Sequence, residues 1–165
     1  MRGDFRISVS KDYLMFSSAH FITFKGHQCE ALHGHNYRVG VVAEGTVDEE
    51  CLFVLDFSVI KKMVRKLVDE IDHRVLLPIQ NPKLGFSEAD GMLSVAYFGK
   101  PTYVFPKSDC ALLPLPNTTA EMLAEYLSGL LREELRKGGV HNLSLIEIEV
   151  EESPGQSATH RLVLD

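Results

Sequence analysis

Residues 16–37 read FSSAHFITFKGHQCEALHGHNY, and four of the seven histidines of the chain, His20, His27, His33 and His35, fall inside this one stretch. The run leading into it is rich in β-formers and alternates back to Phe5, while Tyr37 to Val47 (YRVGVVAEGTV) continues as a second strand with Gly45 near its end. The segment from Phe5 to Phe24 and this second strand are expected to pair as a hairpin across a loop carrying glycine and histidine. Side chains repeat every two residues along a strand, so His33 and His35 share a face, and Gly34 leaves the other face open to close packing. Pairing brings His20 alongside them. Three neutral imidazole nitrogens suit Zn²⁺ at about 2.0–2.1 Å with a fourth position free, the pattern of catalytic sites; structural zinc is usually closed by four protein ligands, often cysteines. The only nearby thiol is Cys29. His27 lies in the connecting loop and is expected in solvent, and His141 and His160 carry no local pattern.

Outward from the hairpin, Val59, Ile60, Met63, Val64, Leu67, Val68 and Ile71 recur at helical period, with Asp56 or Ser58 available as the cap. A second amphipathic helix presents Met122, Leu123, Tyr126, Leu127, Leu130, Leu131 and Leu135. Thr118 followed by Glu121 makes a capping box at its start, and Gly138-Gly139 stops it. From Leu143 to Glu152, Ile146, Ile148 and Val150 alternate with Glu147, Glu149 and Glu151, and Thr159 to Leu164 returns as the hairpin partner. The order ββ, α, α, ββ predicts an α+β fold in a single domain over residues 1–165. Residues 78–116 hold six of the seven prolines and are too long for a structureless connection, so an inserted element is expected there. Met92–Phe98 and Thr102–Phe105, on either side of Gly99-Lys100-Pro101, predict a short extra hairpin.

A length of 165 residues favours one core, and 45% hydrophobic with 24% charged residues excludes a disordered or collagenous chain. Lys plus Arg number 17 against 23 Asp plus Glu, and the net charge of −6 gives no electrostatic basis for sequence-independent binding to nucleic acid or anionic membrane. An anionic substrate therefore needs a local basic pocket, for which Lys25 and Arg38 flank the histidine segment. Cys29, Cys51 and Cys110 are odd in number and lack any C-x-x-C pair, which points to a reducing compartment; the cytoplasm is the expectation. Charges at Arg2, Asp4, Arg6, Lys11 and Asp12 interrupt every apolar stretch at the start, so neither a signal peptide nor a membrane span is expected there.

Taken together, F16-S-S-A-H20, C29-E-A-L-H33-G-H35-N-Y37, V54-L-D56-F, D72-H73, N117-T-T-A-E121 and V150-E-E152-S resemble the 6-pyruvoyltetrahydropterin synthase family in order and spacing, over most of the chain outside residues 78–116. The resemblance implies the tunnelling fold: a four-stranded antiparallel sheet with two helices on one face. In such proteins sheets join in trimers around a barrel, commonly stacked as homohexamers, with active sites at subunit boundaries. It also implies zinc on His20, His33 and His35, a catalytic cysteine at Cys29, a catalytic Asp-His pair at Asp72 and His73, and a pterin-anchoring glutamate at Glu152. Thr119 and Glu121 follow as further substrate-binding candidates, and Asn36 and Asp56 are held with them. The spacing C-x-x-x-H-G-H is similar to that of the 6-carboxytetrahydropterin synthase branch.

That branch would make the chain a zinc-dependent lyase acting on 7,8-dihydroneopterin triphosphate, on the route to 7-deazaguanine nucleosides such as queuosine. The alternatives are 6-pyruvoyltetrahydropterin synthase, which eliminates triphosphate without cutting the side chain, and a pterin- or purine-binding module without turnover. For Cys29, a neighbouring metal cation favours the thiolate. For His73, the adjacent carboxylate of Asp72 would hold an imidazole able to exchange protons near neutral pH. Glu152 shares a strand face with Ile146, Ile148 and Val150, where an unpaired acid is costly, and a pterin's 2-amino group and ring N–H would satisfy it with a planar pair of donors.

Overall fold

The computed structural model describes residues 4–164. Strands β1 (Phe5–Val9) and β2 (Met15–His20) lie end to end along one edge of the long strand β3 (His33–Gly45), so the expected hairpin forms, but its first arm is broken. β1 ends opposite Val41 and β2 begins opposite Arg38, so Ser10 to Leu14 bulge out where β3 spends only Val39 and Gly40. Lys11–Tyr13 form a 3-10 turn, started by Ser10, whose side chain accepts from the Asp12 amide. Arg65 of helix α1 (Phe57–Asp69) fixes the bulge by donating to the carbonyls of Tyr13 and Met15 at 2.8 and 2.9 Å.

The expected four-stranded antiparallel sheet is instead seven-stranded and mixed, in the order β10-β9-β3-β2-β4-β8, with β1 also on β3. β9 (Leu143–Ser153) and β10 (Gln156–Val163) form the predicted C-terminal hairpin, and β9 pairs antiparallel with β3. The additions are β4 (Arg74–Pro78) and β8 (Cys110–Leu113), both parallel to their neighbours. β4 can lie parallel to β2 because α1 carries the chain back across the sheet before β4 begins, and β8 can lie parallel to β4 because residues 79–109 intervene, the long connections that parallel pairing requires. At Gly45 an added Cβ would sit 2.1 Å from the Asn142 carbonyl oxygen, so only glycine allows β9 to start this close.

Both helices cover one face of this sheet. Tyr37, Val39, Val41 and Ala43 of β3 and Ile146, Ile148 and Val150 of β9 pack under Ile60, Val64 and Val68 of α1 and Leu123, Leu127 and Leu131 of α2 (Ala120–Lys137). Asp56 caps α1, its side chain accepting from the Ser58 amide. The cap of α2 is Thr119, one residue later than expected: its hydroxyl accepts from the Met122 amide at 3.4 Å, whereas the Thr118 hydroxyl is buried and donates to the Phe21 carbonyl. Residues 78–116 hold more than a hairpin. β5 (Leu84–Ala89), β6 (Met92–Tyr97) and β7 (Lys100–Pro106) make a separate three-stranded antiparallel sheet. Its apolar side, Leu93 and Val95 with Phe86, Tyr103 and Phe105, closes a second core over Phe21, Leu32, Leu77 and Cys29.

Candidate metal centre

Register decides the site. In the β2–β3 ladder His20 lies directly opposite His33, and His35 lies opposite Ser18, so the three imidazoles stand together on the helix-covered face, just beyond the end of the apolar core. Each offers a nitrogen within 4.8 Å of the others. The His20 ring is 4.8 Å from that of His33 and 5.2 Å from that of His35, centroid to centroid.

Two of the rings are held in a known tautomer. His20 Nδ1 lies 2.9 Å from the Thr118 carbonyl oxygen, and His33 Nδ1 lies 2.8 Å from that of Ala31. A carbonyl can only accept, so each Nδ1 carries the proton and each Nε2 presents a lone pair, the arrangement that orients metal-binding histidines. The Nε2 atoms of His20 and His35 are buried without a hydrogen-bond partner, a costly state for a polar atom unless something else meets it. Burial also pushes the His20 imidazole below its ordinary pKa, which keeps it neutral and able to bind a cation. A divalent ion with an affinity for nitrogen fits this donor set.

Two carboxylates flank the rings. Glu152 Oε1 lies 3.4 Å from His35 Nε2, and its Oε2 lies 4.0 Å from His20 Nε2. Glu30 Oε2 lies 3.7 Å from His33 Nε2 and also accepts from the Ile22 amide at 3.3 Å. Sequence reasoning did not single out Glu30; the signal was its place three residues before His33, in a loop with no period to assign it a face. Tyr37, next on the same face of β3, stacks on Phe16 at 4.7 Å and meets His35 edge-on at 5.5 Å. Burial pushes its phenol well above the ordinary range.

Among the described residues, Cys29, Asp72, His73, Thr119 and Glu121 make no hydrogen bond or ion pair to the three imidazoles. Cys29 is half-buried in the second core, and burial, followed by the Glu30 charge, pushes its thiol up rather than down. Thr119 caps α2, and Glu121 is exposed in the first turn. Arg38 does not flank the imidazoles: it occupies the opposite face of β3 and pairs with Asp12 at 2.9 Å and Glu151 at 2.6 Å. Lys25 and His27 are exposed in the loop. Glu151, on the strand face opposite Ile146, Ile148 and Val150, is only 3% exposed because Arg38 and Lys11 cover it.

Asp72 and His73 follow α1 and lie across the strand pair. With Ser17, Ala19, Gly34 and Asn36, His73 borders an open cleft of about 480 Å³ that also reaches His35 and Asp109. An added Cβ at Gly34 would meet only the Ser18 carbonyl oxygen, at an ordinary 3.4 Å, so the open face there is cleft rather than tight packing. His73 has φ of 53°, a left-handed backbone uncommon for non-glycine residues, and its amide donates to the Ser17 carbonyl at 2.6 Å. Asp72 accepts from the Ser17 amide at 2.8 Å and pairs with His73 Nδ1 at 3.0 Å; the amide first, then the imidazole, hold its carboxyl below the ordinary range. A depressed folded value means stability that is present above the unfolded value, near 3.9, and lost as the pH falls through the folded one. Thermal melts against pH should therefore show a shallower acid arm below about pH 4 in Asp72→Asn than in the parent chain; superimposable arms would remove this role.

The inserted segment, residues 78–116, braces the loop between the histidines. Asn81 Nδ2 donates to Thr23 Oγ1 at 2.9 Å, Lys83 Nζ donates to the carbonyls of Phe24 and Gly26, and the Leu32 amide donates to Tyr103 Oη at 3.3 Å. His27 meets Phe98 edge-on at 4.4 Å.

The family model for 6-pyruvoyl tetrahydropterin synthase matches residues 8–162. A protein of Methanocaldococcus jannaschii, described as a candidate 6-carboxy-5,6,7,8-tetrahydropterin synthase, is 39% identical over 152 residues, covering 92% of each chain. The crystal structure of 6-pyruvoyl tetrahydropterin synthase from Plasmodium vivax is similar over 99% of this chain and 100% of its own, at 32% identity and a TM-score of 0.92. A mutant of that Plasmodium enzyme, described as a catalytic-residue mutant with alanine in place of a glutamate, superposes equally well, at a TM-score of 0.92 and 31% identity over the same shares.

Proposed function

Because the chain belongs to the 6-pyruvoyl tetrahydropterin synthase family, we propose that it is a zinc-dependent 6-carboxy-5,6,7,8-tetrahydropterin synthase. It would convert 7,8-dihydroneopterin triphosphate and water to 6-carboxytetrahydropterin, acetaldehyde and triphosphate, a step towards 7-deazaguanine nucleosides. The observation that carries the reading is the convergence of three imidazoles on the helix-covered face, with the Nδ1–H of His20 and His33 committed to carbonyls. The name of the M. jannaschii relative and the four-residue step from Cys29 to His33 favour the carboxy product.

Zinc on His20, His33 and His35 would supply Lewis acidity towards a side-chain oxygen of the substrate. Cys29 takes the proton from carbon, with Glu30 beside it. Glu152 stands beside the imidazoles at the end where the substrate's side chain would lie, too near them to take the 2-amino and ring N–H edge at the far end of the pterin, and Thr119 and Glu121 border the substrate at the start of α2. Asp72 and His73 make no hydrogen bond or ion pair to the imidazoles of their own chain, so they are assigned to the site of a neighbouring copy in a homotrimer or hexamer, where His73 exchanges protons. Among the described residues no helix is long and apolar enough to cross a membrane.

A second reading is the 6-pyruvoyl-forming reaction, which stops after triphosphate elimination and internal rearrangement. The place of Glu30 beside His33 favours it, because the similar Plasmodium enzyme is described as having a catalytic glutamate. Incubation with 7,8-dihydroneopterin triphosphate separates the readings. Acetaldehyde, detected by its reduction with a coupled alcohol dehydrogenase, supports the first; triphosphate without acetaldehyde supports the second; and neither product leaves a binding module. Cys29→Ala is expected to lower turnover by roughly 10²–10⁴-fold while zinc stays near about one ion per chain. Unchanged turnover in Cys29→Ala with a loss in Glu30→Gln would move the proton acceptor to Glu30.

A further inference from the structure

We infer that Tyr37 is the hydrogen-bond donor of the imidazole site: its phenolic hydroxyl receives the substrate oxygen that enters among His20, His33 and His35. The inference rests on the reading of those imidazoles as a metal centre and adds to it the group that selects which ligands the centre accepts.

Three rings in mutual edge contact each carry a buried polar atom without a hydrogen-bond partner: Nε2 of His20, Nε2 of His35 and Oη of Tyr37. The Tyr37 ring meets that of His35 at 5.5 Å and 72°, and that of His20 at 5.9 Å and 85°, centroid to centroid. Its side chain is wholly buried. One unpaired polar atom in an interior is costly, and three together mark a place built for something the chain does not itself provide. A cation answers the two nitrogens. It does not answer a phenol, which has a proton to give and needs an acceptor.

Among the described residues no group takes that proton. Burial acts first on the Tyr37 hydroxyl, and then the charges of Glu152 and Glu30, so it shares the enclosure of the two carboxylates that flank the rings; yet it is bonded to neither. Nor do its neighbours compete to donate. Nδ1 of His20 and of His33 are turned to the carbonyls of Thr118 and Ala31, Ser18 gives its hydroxyl to the Ile71 carbonyl, and Thr118 gives its own to that of Phe21. Ionised carboxylates only accept. Tyr37 is left with an unspent proton beside the imidazoles.

The ring cannot turn aside. Tyr37 lies opposite Phe16 in the β2–β3 ladder, and the two rings stack at 4.7 Å and within 8° of parallel. A donor fixed in advance costs no reorganisation when negative charge develops on the oxygen it faces, and two carboxylates nearby make such a donor the more necessary. It also sorts ligands. An oxygen that gives one lone pair to a cation keeps another for the phenol, whereas an aromatic nitrogen has spent its only one.

Cobalt(II), whose visible spectrum reports its ligands, is the probe, with acetate and imidazole as the two test ligands. Full-length parent and Tyr37→Phe proteins are loaded with cobalt and titrated with each. Acetate affinity is expected to fall roughly ten- to a hundredfold in Tyr37→Phe, as for loss of a hydrogen bond to a charged group, while imidazole affinity moves by less than about twofold. Melting of the metal-free proteins separates this role from a structural one. Phenylalanine fills the same space without the unmet hydroxyl, so the metal-free variant should melt no lower than the metal-free parent. Equal acetate affinities overturn the inference, as do equal losses for acetate and imidazole, or a parent spectrum that acetate does not move. A variant that no longer holds cobalt, or that melts lower or fails to fold without metal, also overturns it, because the hydroxyl then has a partner within the fold, such as a buried water. If imidazole does not enter the parent site, acetate decides alone. A parent protein that takes up neither cobalt nor zinc overturns the metal centre itself, an outcome distinct from failure of the donor.

Discussion

Replacing His20 with alanine is expected to take the metal content from about one ion per chain to near zero and to abolish turnover. Of the three imidazoles it is the most deeply placed, at 1% exposed, with its ring fixed by the Thr118 carbonyl and edge-on to both His33 and His35. The two remaining rings are half-buried and nearer to water, and a pair of neutral nitrogens is a poor site for zinc. If loss of a partner that merely orients a ligand costs 10–100-fold in affinity, loss of the ligand itself should exceed about a hundredfold. His27→Ala is the control, because His27 is exposed and stands apart from the cluster; its metal content should not move. Elemental analysis of both purified variants checks the prediction, and a fully loaded His20→Ala protein would place the ion elsewhere.

Ile148→Ala is expected to produce the largest loss of stability from one core position, about 2–5 kcal/mol. Ile148 is fully buried on β9, with Val41 on one side in the ladder and His160 on the other, and lies under the helices within the main core. Neighbouring strands on both sides and α2 above keep the surroundings from collapsing into the space, so the cavity term adds to the lost transfer energy. In a chain of this size the change corresponds to a melting temperature lower by roughly 5–15 °C. Ile148→Val, which removes a single methylene, should cost only about 0.5–1.5 kcal/mol. Denaturant titration of both variants tests the ranking, and equal midpoints would contradict the packing described here.

The imidazole cluster was legible because strand alternation and antiparallel pairing are local rules. His33 and His35 differ by two positions, and His20 needed only the hairpin register to join them. Helices α1 and α2 were legible from their periods, with the cap of α2 misplaced by one residue because Thr118 and Thr119 are chemically alike and only tertiary contacts separate them. The interruption of the first strand was not legible: Ser10 to Leu14 bulge under the guanidinium of Arg65, far away in sequence. Nor were β4 and β8, whose parallel neighbours are supplied by distant segments and whose short apolar runs look like loop in a proline-rich stretch. Alternation set Glu151 on the face opposite Ile148 and Val150 but said nothing of its burial, since Lys11 reaches it only from the bulge. Glu30 escaped because no period runs through the loop between the two strands.

The three-stranded addition and the turn leading into it touch the loop from Phe21 to Leu32 at Thr23, Gly26, His27 and Leu32, through Asn81, Lys83, Phe98 and Tyr103, and Cys29 packs against the apolar side of the addition. Loop and addition thus form one heritable cassette: a chimaera that receives the cysteine loop from this chain without the strands above it inherits the residues but not their poise.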